Sequence, residues 1–217
     1  MNIKRDLLTI LACSMSLHLL AQEKFPFRDP QLPVEQRVED LVSRLTLEEK
    51  VNQMSQVVGA FFNKDMDITA MGPMADKGFT PENVALSGSI LGSMGAEMLK
   101  KIQKDFVEQH PHHIPMLFML DVINGFKTIF PIPLGQGATF EPELSEKCAA
   151  VAAKEAAVSG LHVTFAPMTD LVRDARWGRV MESTGEDPAS SETPKMSEKY
   201  RFSVFSESYT EILPHLT

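Results

Sequence analysis

The sequence predicts an α/β fold built from strand–helix–strand units, on three observations. Short apolar runs of strand length alternate with segments whose apolar residues recur at helical spacing. The longest run, Ile114 to Ile123, is broken only by Pro115 and Asp121, which suits a strand covered on both faces of a parallel sheet. The links between these segments are short, as βαβ units require. The composition agrees: 43% hydrophobic and 23% charged residues in a chain of 217 are enough to bury a core.

The elements follow in order. Lys4 and Arg5 precede the apolar stretch Leu7 to Leu20, and the small residue Ala21 follows. Charge, short apolar run and small residue predict a secretory signal peptide over 1–21, and hence an exported, periplasmic or secreted protein. Two other readings stand beside it: a buried amphipathic helix, and a lipoprotein box Ile10-Leu11-Ala12-Cys13 with Cys13 acylated. Pro33 suits a helix start, and Val34, Val38, Leu41, Val42 and Leu45 continue at helical spacing. Thr46-Leu47-Glu48-Glu49 is a capping box, and Val51, Met54, Val57 and Val58 are expected to line the helix it opens. Residues 59–88 read as a long loop, Ser89-Ile90-Leu91 as a strand, and Glu97 to Gln109 as a helix with Met98, Leu99, Ile102 and Phe106 inward. After the long strand comes an alanine-rich helix around Ala149 to Ala157, ending near Gly160, and then the strand Val163-Thr164-Phe165.

Charge and cysteine content remove several functions. The formal charge is -8, so no basic field is available for nucleic acid. No apolar run reaches the roughly 18–20 residues of a membrane span. Cys13 and Cys148 are too few for a disulfide framework. His110-Pro111-His112-His113 reads as a helix-ending loop, because no acidic or cysteine partner lies at ligand spacing. No metal and no cofactor are expected.

Polar groups collect at strand ends instead. Asp121 closes the longest strand and precedes the turn Asn124-Gly125; Asp170 and then Arg173-Asp174-Ala175-Arg176-Trp177-Gly178-Arg179 follow the next. In parallel α/β folds ligands sit at the carboxyl ends of strands. A carboxylate there accepts sugar hydroxyls, an arginine fork donates to them, and a tryptophan covers the apolar face of the ring. The plainer reading is that Arg173, Arg176, Asp170 and Asp174 pair with one another and hold the loop in shape.

Three stretches carry a resemblance: RVEDLVSRLTLEEKVNQM from Arg37 to Met54, LDVINGFKTIFPIPLG from Leu120 to Gly135, and APMTDLVRDARWGRVMESTGEDP from Ala166 to Pro188. Together they resemble glycoside hydrolase family 3, and within it the bacterial exported β-glucosidases. The resemblance implies an N-terminal (β/α)8, TIM-barrel-like domain, here over 22–188, and a β-glucoside or oligosaccharide as substrate. It implies that Asp121 and Arg179 bind the hydroxyls of the non-reducing glucose in the -1 subsite, with Asn124, Arg176 and Trp177 shaping the pocket. Asn124 stands where the family's D-x-x-H-G pattern has histidine, and Ala175 where RDPRWGR has proline.

The same resemblance sets an expectation of incompleteness. Family members hydrolyse β-glycosides with retention, using a nucleophile and an acid/base that lie beyond the GEDP sequence, and neither has a counterpart before Thr217. Three or four strands are readable, whereas a TIM barrel closes eight in about 250 residues. The barrel is therefore expected to be partial, with an open sheet edge that favours self-association. Residues 189–217 do not continue the family pattern and are expected to be a frameshifted tail or a segment of the protein's own. The leading functional reading is a β-glucosidase fragment that is inactive alone. The alternative is a non-catalytic sugar-binding protein that keeps Asp121 and Arg179.

Overall fold

The computed structural model of the chain describes residues 25–59, 78, 80–93 and 95–187. The expected signal peptide over 1–21, Cys13 and the tail 189–217 lie outside the described residues. The chain divides into two compact units, residues 1–50 and 51–217.

In the first unit a single 3-10 turn, Pro26–Arg28, precedes helix α1, Val34–Arg44. Asp40 joins the two: it accepts the Phe27 amide at 3.1 Å and the Arg44 Nε and Nη2 groups at 3.0 Å each. Hydrogen bonding from Arg44 holds the Asp40 carboxyl below its ordinary value. The guanidiniums of Arg28 and Arg44 lie 4.8 and 5.1 Å from the Phe25 ring centroid, a cation–π arrangement. The apolar stripe of α1 does not face inward as its period predicts. Val34, Val38 and Val42 are exposed, and only Leu45, at the helix end, is buried.

Helix α2, Leu47–Gln53, begins in this unit with the expected capping box. The Thr46 amide donates to Glu49 Oε2 at 2.7 Å, and the Glu49 amide to Thr46 Oγ1 at 3.2 Å. The helix stops earlier than its period predicts. Val57 and Val58 belong to strand β1, Gln56–Val58, and Val57 is buried there while Met54 is exposed. Two adjacent β-branched residues gain more from a pleated, covered position than from a helix flank.

The second unit is an α/β layer around a four-stranded parallel sheet in the order β1, β2, β3, β4. After β1 come β2, Ser89–Leu91, β3, Leu117–Leu120, and β4, Val163–Thr164. Val57, Ile90 and Phe118 stand in register across three strands and are all buried. His162 continues that row, its ring stacked on Phe118 at 5.4 Å between centroids. Its amide donates to the Phe118 carbonyl at 2.9 Å, and its Nδ1 accepts the Phe118 amide at 3.0 Å. A buried ring nitrogen in that role must be neutral, and burial does lower the His162 pKa.

Helix α3, Pro81–Ala85, lies inside the stretch expected to be loop. Thr80 opens it by accepting the Asn83 amide at 3.3 Å, with Pro81 supplying a preset first residue. Helix α4, Ala96–Gln109, buries Leu99, Ile102 and Phe106 as its period predicts. His110 ends it, buried, with its Nδ1 accepting the His112 amide at 3.1 Å. Helix α5, Pro133–Gly137, is a second short helix that apolar period does not signal. Helix α6, Pro142–Val158, packs through Ala149, Ala152, Ala153 and Ala156, small residues that allow a close approach.

Strand β3 is shorter than the apolar run that contains it. Pro115 has no N–H to donate, and β4 offers only two residues for pairing on the other side. Met116 and Val122, just beyond its ends, are buried all the same. Among the described residues β1 and β4 each pair on one side only, so the sheet is open and the barrel is not closed. No helix among them is long and apolar enough to cross a membrane.

Candidate sugar-binding site

Two loops leave the carboxyl ends of neighbouring strands: one follows β3 and carries Asp121 and Asn124, the other follows β4 and carries Arg176, Trp177 and Arg179. The hydroxyl of Thr164, on β4, joins their roots. Its oxygen accepts the Val122 amide at 3.2 Å and the Ala166 amide at 3.3 Å. Asp121 is therefore presented directly at a strand end, with its side chain exposed.

The first loop is closed on itself and then fastened to a helix. The Asn124 side chain donates to the Phe130 carbonyl at 3.2 Å, and the Phe130 amide to the Asn124 carbonyl at 2.8 Å. Gly125 bridges to Ile129 with φ +110, and a Cβ there would lie 2.0 Å from the Thr128 carbonyl oxygen. Only glycine fits such a turn. At the tip, Glu155 of α6 accepts the amides of Lys127 at 2.9 Å and Thr128 at 2.8 Å, and the Thr128 hydroxyl at 2.6 Å. These bonds, the hydroxyl's first, hold the Glu155 carboxyl below its ordinary value.

The second loop is organised locally. Ser183 donates its hydroxyl proton to the Asp170 carbonyl at 2.7 Å and accepts the Gly185 amide at 3.3 Å, while the Val172 amide reaches the Gly185 carbonyl at 3.0 Å. Gly137 of α5 packs against this base, where a Cβ would meet the Thr184 carbonyl oxygen at 2.0 Å. Within the loop, Arg176 pairs with Asp174, Nη2 to Oδ2 at 2.5 Å. Trp177 is anchored by its amide on the Asp174 carbonyl at 3.0 Å and keeps 36% of its surface exposed. The expected pairing of Arg176 with Asp174 is thus present, whereas Asp170 is tied through its backbone carbonyl.

Arg179 caps a 3-10 turn, Val180–Glu182, and forks onto Glu182: Nε to Oε1 at 2.9 Å and Nη2 to Oε2 at 2.6 Å. Its pKa is raised, first by that hydrogen bonding and then by the charges of Glu182, Asp170 and Asp121. Arg179 has five N–H donors, and its fork on Glu182 leaves others for a ligand. Glu182 is correspondingly held ionised by Arg179. A small cavity of about 20 Å³ is lined by Asn124, Gln136, Ser145, Cys148 and Glu182 among others, and by neither Asp121 nor Arg179. It has room for about one water.

Residues 46–200 match the Glycosyl hydrolase family 3 N terminal domain. The chain belongs to glycosyl hydrolase family 3. It is similar to the "Periplasmic beta-glucosidase" of Salmonella typhimurium, 32% identical over 152 residues, which are 69% of this chain and 18% of that protein. It is also similar to the "Putative beta-xylosidase" of Formosa agariphila, 29% identical over 202 residues, 85% of this chain and 26% of that one. The solved β-glucosidase of Listeria innocua in complex with glucose superposes with a TM-score of 0.67 at 43% identity, covering 76% of this chain and 23% of that one. The family 3 chain thus spans about a quarter or less of these relatives. The homologues are glycoside hydrolases, and the β-glucosidase resemblance of the sequence is real.

Sequence reasoning placed Asp121, Asn124, Arg176, Trp177 and Arg179 on these two loops. It missed Thr164, Glu155 and Ser183, the groups that hold the loops. Glu155 carried one legible signal, an acid in the middle of an alanine-rich helix.

Proposed function

We propose that this family 3 chain carries the -1 sugar-binding subsite of a β-glucosidase-type glycoside hydrolase. Asp121 accepts hydroxyl protons from a terminal glucose, Arg179 donates to the same sugar, and Asn124, Arg176 and Trp177 shape the wall. The observation that carries this reading is that Asp121 and Arg179 stand on the two loops that leave the carboxyl ends of the adjacent strands β3 and β4, whose roots Thr164 joins. A carboxylate acceptor and a guanidinium with donors to spare suit a polyhydroxylated ring.

The described residues are proposed to bind the sugar rather than cleave the bond. Retaining hydrolysis takes two carboxyl groups about 5–5.5 Å apart, one of them protonated to donate to the leaving oxygen. Glu182 is held as a carboxylate by Arg179, which is the wrong state for a proton donor at neutral pH. Isothermal titration of the full chain with glucose, alongside nitrophenol release from a β-glucoside, tests both halves. Glucose binding lost in Asp121→Ala and Arg179→Ala, with no nitrophenol release above a denatured control, is the expected result. Absence of glucose binding would overturn the subsite; turnover abolished by either substitution would overturn the binding-only reading.

Export follows as part of the same proposal, from Lys4, Arg5 and the Leu7 to Leu20 run together with the periplasmic relative. Intact mass of the envelope-fraction protein should correspond to a cut near Ala21. The one-sided strands β1 and β4 are proposed to pair with further sheet, a second copy included, so light scattering should report species larger than the monomer.

A further inference from the structure

We infer that Glu155 is a positioning residue for Asn124, an inference that rests on reading Asn124 as part of the sugar subsite. The carboxylate does not touch the proposed sugar surface. It grips the far end of the loop, taking the Lys127 and Thr128 amides on one oxygen and the Thr128 hydroxyl on the other. Hydrogen bonds to an ionised acceptor are the strong kind, and three on one group fix both the height and the rotation of the loop tip.

The tip is mechanically continuous with the site. Gly125 and Thr128 are in contact too close for a Cβ, Gly125 bridges Ile129, and the Asn124 backbone and side chain both bond to Phe130. A loop of this tightness cannot let Thr128 move without moving Gly125, and Gly125 adjoins Asn124. At the other end Val122 is buried and its amide is fixed on Thr164. Asn124, between Val122 and Thr128, is thus held between two anchors, the strand end and Glu155. Removing Glu155 converts a preset pocket wall into one that must be ordered when sugar arrives, which weakens binding without removing any sugar contact.

The charge state agrees with the geometry. The loop's hydrogen bonds favour the ionised carboxyl, and the nearby Lys127 adds to them. Protonation would leave one oxygen occupied by its own hydrogen and would release part of the loop.

The test uses the full chain, Glu155→Gln, and residue-resolved amide NMR with and without glucose. Glutamine keeps the size and one acceptor oxygen but removes the charge that strengthens the amide bonds, so exchange at Lys127 and Thr128 should rise several-fold. The Asn124 and Gly125 amide signals should shift, amides in the α4 core should not, and glucose should bind several-fold more weakly. Asn124 and Gly125 signals that stay in place in a folded Glu155→Gln would overturn the inference, whatever happens to sugar affinity. A native chain whose Asp121 signal ignores glucose would overturn the subsite reading instead, while shifts at Asn124 and Gly125 in the variant would still support positioning. Should Glu155→Gln fail to fold, acid titration of the native chain supplies the second measurement. The Lys127, Thr128 and Asn124 signals should then move together with one midpoint, below the ordinary glutamate value of 4.5. Independent midpoints would count against the inference.

Discussion

The loops after β3 and β4 are neighbours with opposite designs. The first is tied to distant parts of the chain: its bonds to Glu155 and Thr164 span 27 to 42 residues of sequence. The second relies on partners two and three residues away, Asp174 for Arg176 and Glu182 for Arg179, on the surface. Asp121 is therefore placed by the tertiary structure, and Arg179 by its own turn. Exposed ion pairs are screened by salt and exchange partners readily, whereas a clamped strand end does not. On the proposed reading of the site, a sugar would meet a fixed acceptor and an adaptable donor.

The comparison can be broken most directly where the second loop meets a rigid element. A Cβ at Gly137 would sit 2.0 Å from the backbone carbonyl of Thr184, which cannot swing away as a side-chain tip can. Gly137→Ala should cost about 1–3 kcal/mol in chemical unfolding, as overpacking does. Gly135→Ala, whose Cβ meets only Pro131 and Ile132 at 3.6 and 3.9 Å, should stay within about 0.5 kcal/mol. Equal effects from the two would show that α5 does not hold the second loop.

Thr164→Val comes next, because it removes an oxygen that serves both loops. Leaving the Val122 and Ala166 amides without that acceptor should cost about 1–2 kcal/mol. Hydrogen exchange sharpens the comparison. Both amides should exchange faster, but Val122 less so, since Glu155 still holds the rest of its loop. Unchanged exchange at both positions would remove Thr164 as the common root.

How much of this was legible in the sequence depended on whether a feature was local. Strand β2, helix α4 and the Thr46–Glu49 capping box were readable, because apolar period and cap spacing are written in consecutive residues. Val57 and Val58 were misassigned to a helix, since four apolar residues near helical spacing hid the switch to a strand that pairs with Ile90 and Leu91. The short helices α3 and α5 lie in Pro- and Gly-rich stretches where period carries no signal. The strand-end acids and the RDxRWGR block pointed to the candidate site. Its fastening did not, because bonds from Lys127 to Glu155, or from Val122 to Thr164, have no sequence spacing to betray them.

A pH series separates what the loops share from what they do not. His162 supports both β3 and β4 as a neutral ring, its pKa lowered from 6.5 by burial. Above that value the folded and unfolded imidazoles are both neutral and the stability is intact. As the pH falls below it, the unfolded chain takes up a proton that the folded chain resists, so stability declines until the lower folded value is reached. Urea unfolding between pH 7.5 and 5.5 should show a slope of at most about 1.4 kcal/mol per pH unit from this group. His162→Gln should flatten it. Because both strands rest on the ring, acid should loosen both loops alike, and a loss confined to one would contradict the shared support.

The smallest effect is expected at the pair that looks strongest on paper. Arg176 and Asp174 meet at 2.5 Å, yet their side chains are 90% and 50% exposed. Water solvates both partners nearly as well apart as together, and ordering a long arginine offsets most of the attraction. Asp174 also accepts the Arg176 amide at 2.9 Å, a contact that an asparagine oxygen can keep. Asp174→Asn should therefore leave the unfolding midpoint unchanged at physiological salt, and added salt should not separate it from the native chain. The partner comparison is Glu182→Gln, which frees a fork that is 59% exposed from an acid that is 22% exposed. There the change should appear in the Arg179 side-chain NMR signals rather than in stability. An Asp174→Asn chain as destabilised as Thr164→Val would mean that local pairs fix the second loop as firmly as distant anchors fix the first, and the contrast between the two loops would fall.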